Sequence, residues 1–214
     1  MTFRPIDMDA YPRREHFEHF LAMHLTYSAT VSIDVTHLRA TAKERGFRLY
    51  PAQIWMLSTV ANRVPEFRMS RDNDGNLGVW DRLDPLYTAM SEPTTPFSGI
   101  CTPYHREFGH FYSRCRADIE TYAHGAFMPQ GAEPPNILNI SSIPWVAFTG
   151  FNLNLSTDYL LPILTIGRHT EQDGVTRLPL AIQVHHAVCD GYHLGRFVEQ
   201  VQALADSASD WLKS

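Results

Sequence analysis

The sequence of 214 residues has few cysteines, fewer cations than anions and no long apolar run. Its three cysteines, Cys101, Cys115 and Cys189, have no paired spacing, which is typical of reduced thiols in a cytoplasmic protein. The net charge of −5 argues against a nucleic-acid or anionic-membrane partner, since both need a basic face. We find no apolar stretch long enough to span a bilayer and no apolar signal-peptide core near the N-terminus. We therefore expect a cytoplasmic protein that binds no nucleic acid and no membrane.

What remains has the composition of a folded domain. Apolar residues make up 44% of the sequence and charged residues 19%. A chain of this length can bury most of its apolar surface in one core. Because the sequence contains no internal repeat and no low-complexity linker, we expect a single domain over residues 1–214.

Apolar periodicity predicts interleaved helices and strands. Helical spacing is found over residues 13–24, 51–63, 106–124 and 193–212. Thr36 and Gly46 predict the N-cap and the end of a further short helix. Pro51 suits the first position of the helix over residues 51–63. Strand patterns cover 26–35, 86–90, 137–154 with interruptions, 159–168 and 178–186, and a hairpin pairs 67–70 with 77–81. Without strict alternation of strands and helices, the expected class is α/β, or an α+β two-layer sandwich, with a mixed sheet flanked by helices.

The run QVHHAVCDGYH, residues 183–193, is the strongest candidate for chemistry. Strand alternation places His185 and His186 on opposite faces, so these two neighbours cannot chelate one ion. His186 continues the apolar face of the strand. An imidazole there is partly desolvated, which favours its neutral form near pH 7. Because a neutral imidazole can accept a proton, His186 is a candidate general base.

Two other interpretations of this run stay open on the residues alone. A metal site would require His186, Asp190 and His193 to converge, but their spacing matches no zinc pattern, so we expect no metal. The run also suits a strand end followed by a Cys-Asp-Gly turn with no catalytic role.

Sequence context favours the catalytic interpretation. HHAVCDG ahead of a predicted helix resembles the HHxxxDG motif of CoA-dependent acyltransferases. Further blocks resemble the chloramphenicol acetyltransferase family, in its order and spacing and over nearly the whole chain: RREHFEHF, YPAQIWML, PEFRM, GVWDRLDPLYT, MPQG, NISSIPWVAFTGFNLN, LPILTIGRH and PLAIQVHHAVCDGYHLGRF. The resemblance implies a chloramphenicol-acetyltransferase-like fold and a homotrimer with active sites at subunit interfaces. It also implies acetyl transfer from acetyl-CoA, a co-substrate and not a permanently bound cofactor, to the primary (3-) hydroxyl of chloramphenicol, which confers antibiotic resistance.

The resemblance assigns a role to five residues of the reaction site. His186 would be the general base, and Ser141 would stabilise the oxyanion. Thr165 would act through an ordered water. Asp190 would pair with Arg13 and hold the loop without taking part in the chemistry.

The resemblance also implies the residues that line the two substrate sites. The acceptor pocket would comprise Phe20, Leu25, Tyr27, Phe97, Gly99, Asn139, Phe151 and Leu153. The CoA contacts would be Arg48, Arg168 and His169, where the family often has lysine, lysine and tyrosine. Leu25 stands where a cysteine is frequent, and Gly99 where a small side chain is usual. These departures bear on the choice of acceptor more than on the type of reaction.

Three alternatives belong beside this hypothesis. The chain could be an acetyltransferase of the same fold that acts on another hydroxyl compound. A dihydrolipoamide acyltransferase core is disfavoured, because the sequence is short and contains no lipoyl or subunit-binding segment. A catalytically silent protein that binds CoA or another small molecule is disfavoured by the complete set of His186, Asp190, Arg13 and Ser141.

Overall fold

The computed structural model describes residues 1–90, 92, 96–155 and 158–213. The helices in this part of the chain are α1 (Arg14–Ala22), α2 (Thr36–Glu44), α3 (Leu49–Arg63), α4 (Phe108–Tyr122), α5 (Gly191–Asp206) and α6 (Ala208–Trp211), with a short 3-10 helix at Pro65–Arg68. The strands are β1 (Phe3–Pro5), β2 (Thr26–Asp34), β3 (Met69–Arg71), β4 (Leu77–Trp80), β5 (Asp84–Ala89), β6 (Ser98–Cys101), β7 (Ile137–Ile143), β8 (Ile163–Gly167), β9 (Thr170–Gln172) and β10 (Val175–His185).

The strands form one large mixed sheet and one small sheet. In the large sheet the order is β2-β10-β8-β7-β5-β6, and β9 pairs with one end of β10. Strand β7 runs parallel to both β5 and β8, whereas β10 is antiparallel to β2 and β8. The small sheet has the order β1-β4-β3 and contains the predicted hairpin. The predicted class, a mixed sheet flanked by helices, is confirmed.

Helix α3 lies at the centre of the packing. Every residue from Pro51 to Ala61 is buried, and the helix contacts α2, α4, α5 and the strands β5 and β7. Because the helix is buried on all sides, its polar side chains form hydrogen bonds with protein groups: Ser58 donates to the Ile54 carbonyl at 2.7 Å, and Asn62 donates to the Leu83 carbonyl at 3.0 Å. The strands β5 and β7 of the large sheet therefore pack against a buried helix.

Several predicted boundaries are wrong for local physical reasons. Thr36 is the first residue of α2 and not its cap, because its N–H and hydroxyl both donate to the Asp34 carboxylate. Helix α3 begins at Leu49, two residues before Pro51. Strand β7 ends at Ile143, since Pro144 has no N–H to continue a ladder. The C-terminal helix is interrupted at Ser207.

In the described part of the chain, none of the helices has the length and apolar character needed to cross a bilayer.

Candidate active site

His186 lies directly after the last residue of β10, in the turn that leads to α5. Its backbone N–H donates to the Leu25 carbonyl at 2.8 Å, so the residue is tied to the chain just before β2. Its ring stacks on Phe20 of α1 with centroids 4.0 Å apart, and the Tyr27 ring lies 5.2 Å away. The imidazole is partly exposed, but its Nδ1 is buried and has no hydrogen-bond partner among the described residues. The structure thus brings together four of the predicted residues, which we call the base cluster: His186, Phe20, Leu25 and Tyr27.

Arg13 and Asp190 hold the loop that follows His186. The Arg13 guanidinium lies 3.5 Å from the Asp190 carboxylate, and it donates to the Val188 carbonyl at 2.8 Å. Asp190 is also the N-cap of α5, accepting from the Tyr192 N–H, while its own N–H donates to His193 Nδ1. Asp190 therefore serves both as a helix cap and as the partner of Arg13.

The metal interpretation of the run is not supported by this geometry. His193 is engaged with Asp190 and lies 3.4 Å from a Glu66 carboxylate oxygen, whereas His186 stacks on Phe20. No group of three or more potential metal ligands is found among the residues that the structure describes. Both histidines are instead held by neighbouring residues of the chain.

Ser141 and Thr165 are cross-strand neighbours at the middle of the large sheet. Ser141 of β7 pairs in register with Thr165 of β8, and Thr165 pairs with Ala181 of β10. Thr165 is buried, and Ser141 is partly exposed. Ser141, predicted to stabilise the oxyanion, and Thr165, predicted to act through an ordered water, therefore occupy one row across the sheet.

Ser141 borders a cavity of about 260 Å³ that contains half of the predicted acceptor residues. Phe97, Gly99, Asn139 and Leu153 line it. Glycine suits this close approach, since a Cβ atom at position 99 would lie 2.9 Å from the Met128 sulfur and 3.2 Å from the Phe127 carbonyl. The Asn139 amide donates to the Tyr159 hydroxyl at 2.8 Å, which leaves its oxygen as an acceptor.

The remaining acceptor residue, Phe151, lies in a segment that crosses the sheet. Its N–H donates to the Thr30 hydroxyl, and the Leu153 N–H donates to the Gln183 side chain at 2.7 Å. Together with Tyr27 these residues border a polar groove of about 560 Å³. Phe151 and Leu153 thus lie between the base cluster and the Ser141 cavity.

A second cavity of about 440 Å³ lies on the other side of Ser141 and has mainly apolar walls, among them Tyr50, Ala89 and Trp145. None of the three predicted CoA contacts is among its described lining residues, but Arg48 and Arg168 adjoin segments that contribute to the lining. Arg48 is the N-cap of α3, and the Arg168 N–H donates to the carbonyl of Val146, which follows Trp145. His169 accepts from the Gln53 amide of α3 at 2.7 Å, and burial lowers the pKa of its imidazole. A cationic residue at a helix N-terminus suits an anionic group such as a phosphate.

His186 and Ser141 are far apart within one chain. Ser141 of β7 is aligned through Thr165 of β8 with Ala181 of β10, so β10 is the second strand from β7. His186 follows Ala181 by five residues, just past the end of β10. Standard strand dimensions place their Cα atoms roughly 19 Å apart. A base and an oxyanion donor must both lie about 3 Å from the reacting atoms, so one chain does not bring the two residues to one substrate.

The fold and the residues around His186 define the class of CoA-dependent acyltransferases that carry an HHxxxDG motif. A family model described as chloramphenicol acetyltransferase matches residues 1–202. The chain therefore belongs to the chloramphenicol acetyltransferase family.

Individual relatives agree with this membership. A chloramphenicol acetyltransferase of Bacillus pumilus is 46% identical over 214 residues, covering 98% of this chain and 96% of that protein. One of Clostridium perfringens is 46% identical over 216 residues, covering 99% of each. A solved chloramphenicol acetyltransferase structure has a TM-score of 0.84 at 24% identity, over 95% of this chain and all of that one, which confirms the predicted fold.

Residue-level reasoning from the sequence missed Tyr50, Trp145 and Tyr159, all of which contact the cavities or their lining. Tyr50 and Trp145 each stand a few residues from a predicted site residue, so their position could have suggested them. Tyr159 had no such signal, because its link to Asn139 depends on the pairing of β7 with β8.

Proposed function

We propose that this protein transfers the acetyl group of acetyl-CoA to the primary hydroxyl of chloramphenicol and so confers resistance to that antibiotic. Membership of the family supports this reaction. The observation in the structure that carries the proposal is the imidazole of His186, which is partly exposed and held by Phe20, Tyr27 and the Leu25 carbonyl. A fixed and accessible imidazole is what a general base requires.

The proposed reaction begins when His186 takes the proton of the acceptor hydroxyl. Because Nδ1 is buried, we assign this role to Nε2 on the accessible side of the ring. The hydroxyl oxygen then attacks the thioester carbonyl, and the Ser141 hydroxyl donates to the negatively charged oxygen of the tetrahedral intermediate. When the carbon–sulfur bond breaks, the imidazolium returns its proton to the CoA sulfur. Thr165 contributes through an ordered water in this proposal.

We further propose that the active site forms between two copies of the chain within a homotrimer. The separation of about 19 Å between His186 and Ser141 supports this arrangement, because a neighbouring copy could place its Ser141 beside the first copy's His186. Exposed aromatic residues beside the Ser141 cavities, Phe97 and Trp145, support it as well. The number of copies rests on the family resemblance.

The substrate sites follow from the same arrangement. Chloramphenicol would lie against Phe20, Leu25 and Tyr27 of one copy. The other copy would contribute Phe97, Gly99, Asn139, Phe151 and Leu153. The apolar cavity beside Tyr50 and Trp145 would hold the pantetheine arm of acetyl-CoA, with Arg48, Arg168 and His169 near the phosphates and adenine.

We also propose that residues 1–214 form one domain of a cytoplasmic protein that permanently binds no cofactor. One cluster of buried apolar residues includes members of α3, α4, α5 and the large sheet. The three cysteines are unpaired, and burial raises the pKa of the Cys115 and Cys189 thiols to about 12, so these thiols stay protonated. Unpaired cysteines suit a reducing compartment.

The direct test is thiol release from acetyl-CoA in the presence of chloramphenicol, with His186→Ala in parallel. We expect release by the wild type and a loss of about 10²–10⁴ in kcat for the variant, the contribution of a positioned base. His37→Ala, on the exposed face of α2, is the matched control and should keep full activity. Release with other hydroxyl compounds but not with chloramphenicol would favour the alternative acetyltransferase. Binding of CoA without any release would favour the silent binder.

A further inference from the structure

Asp158 connects the two backbone segments that hold His186. Its Oδ1 accepts from His24 Nδ1 at 2.6 Å and lies 3.7 Å from His185 Nε2. His24 directly precedes Leu25, whose carbonyl accepts from the His186 N–H, and His185 directly precedes His186. The contacts therefore form a closed ring that runs from Asp158 through both histidines to the hydrogen bond between Leu25 and His186.

The surrounding contacts fix the orientation of the His185 imidazole. The side chain is only 1% exposed, and its Nδ1 accepts from the Ala187 N–H at 3.1 Å. A neutral ring that accepts at Nδ1 must carry its proton on Nε2. Nε2 is the atom nearest to Asp158, and it has no hydrogen-bond partner among the described residues. The buried N–H of His185 is thus directed toward one carboxylate.

His24 adopts a backbone conformation that is unusual for its residue type. Its φ of 51° lies in the left-handed region, where glycine is favoured. The side chain is 75% exposed, so packing does not explain this conformation. The hydrogen bond from His24 lowers the pKa of the Asp158 carboxyl group, and the nearby charge of Arg71 lowers it further. The carboxylate is therefore ionised near neutral pH and able to hold His24 in the turn.

We propose that Asp158 is a positioning residue for acetyl transfer, which sets the His186 ring through His24 and His185. The proposal rests on the proposed function, because it takes His186 as the base. A base contributes fully only when its ring stays aligned with the acceptor hydroxyl, and small displacements reduce rates steeply. Loss of the carboxylate would remove the side-chain link between the end of β10 and the turn before β2, which leaves the backbone pairing alone to hold the stack of His186 on Phe20.

The test compares Asp158→Asn with Asp34→Asn. Both substitutions remove one carboxylate while keeping its shape, and Asp34 lies at the far end of β2, where it accepts from Thr36. We expect Asp158→Asn to lower kcat about tenfold with unchanged KM for both substrates, as misalignment of a base predicts. Asp34→Asn should keep the wild-type kcat even if its melting temperature falls. An unchanged kcat for Asp158→Asn, or a loss confined to KM, would overturn the proposal.

Variants of the two histidines determine whether the effect passes through them. His185→Asn retains an acceptor near the Nδ1 position for the Ala187 N–H but has no group at Nε2. It should match Asp158→Asn, and the double variant should lose no more than either one. His24→Gln, at an exposed position, should fold normally and lower kcat by a smaller factor. Losses that multiply in the double variant would overturn the proposal.

Failure of this inference is distinguishable from failure of the proposed function. Wild-type thiol release together with an unaffected Asp158→Asn overturns the positioning role alone. Wild-type protein that releases no thiol with any hydroxyl acceptor overturns the proposed function, and the positioning role with it.

Discussion

Around His186 the chain supplies contacts on several sides, whereas around Ser141 it leaves two cavities with exposed aromatic walls. His186 is held by a stacked ring and a backbone hydrogen bond, and the Arg13–Asp190 pair holds the loop that follows it. Beside Ser141, Phe97 is 46% exposed and Trp145 is 57% exposed. This difference supports the proposal that one chain preorganises His186 as the base and that a second copy completes the surfaces for the two substrates.

Ser141→Ala is the first variant to test, since its predicted loss in kcat is the largest after that of His186→Ala. Ser141→Ala should lower kcat about 10²–10³-fold with little change in KM, because an oxyanion donor acts in the transition state. Steady-state kinetics with both substrates measure this split. Ser113→Ala, which removes a hydroxyl that bonds only within α4, should behave as the wild type. A Ser141 variant that changes mainly KM would contradict the assigned role.

Variants of Asp190 test how much this residue stabilises the loop that follows His186. Asp190→Ala removes both the partner of Arg13 and the cap of α5, and we expect a loss of about 1–2 kcal/mol in the free energy of unfolding. Asp190→Asn retains a capping side chain, so it should lose less stability. Urea unfolding measures both values, and kcat should fall in the same order. Equal stability of the two variants would mean that capping contributes little.

Acid conditions should lower the stability of the fold through two buried histidines, one near His186 and one among the predicted CoA contacts. We expect this effect to be smaller than that of Asp190→Ala. Burial lowers the pKa of His185, which precedes His186, and of His169, a predicted CoA contact. An unfolded chain takes up these protons near pH 6.5, whereas the folded chain keeps both rings neutral to lower pH. Stability should therefore decrease as the pH falls below about 6.5.

The comparison of His169→Gln with the wild type isolates one of these two rings. Glutamine cannot take up the proton but can still accept from Gln53, so the melting temperature should depend less on pH between 7.5 and 5.5. His37→Gln is the matched surface control. An unchanged pH dependence in His169→Gln would contradict the burial argument.

Local patterns were sufficient for some of these features and not for others. Alternation predicted β10 to within a few residues, and helical spacing predicted α4, because each depends on residues close in sequence. The start of α2 involves the hydrogen bonds of Thr36 with Asp34, and at the interruption Ser207 donates its hydroxyl to the Ala203 carbonyl; periodicity does not encode such single side-chain contacts.

Some contacts of the candidate site could likewise be predicted from the sequence, and others could not. The pairing of Arg13 with Asp190 followed from the family resemblance, and the structure contains it. The Asp158 carboxylate contacts His24, 134 residues earlier in the chain, and also His185, and nothing in the local sequence indicates either contact. The separation of His186 from Ser141 became visible only once the strand register was known.

The central claim is that His186 of one copy acts with Ser141 of another. His186→Ala and Ser141→Ala proteins, each nearly inactive, would be mixed in equal amounts, unfolded and refolded together. Random assembly should give about a quarter of the wild-type activity, because a quarter of the interfaces would pair an intact His186 with an intact Ser141. Wild-type protein and each variant alone, taken through the same cycle, are the controls. A mixture no more active than its two components would show that both residues act within one chain, and would contradict this account.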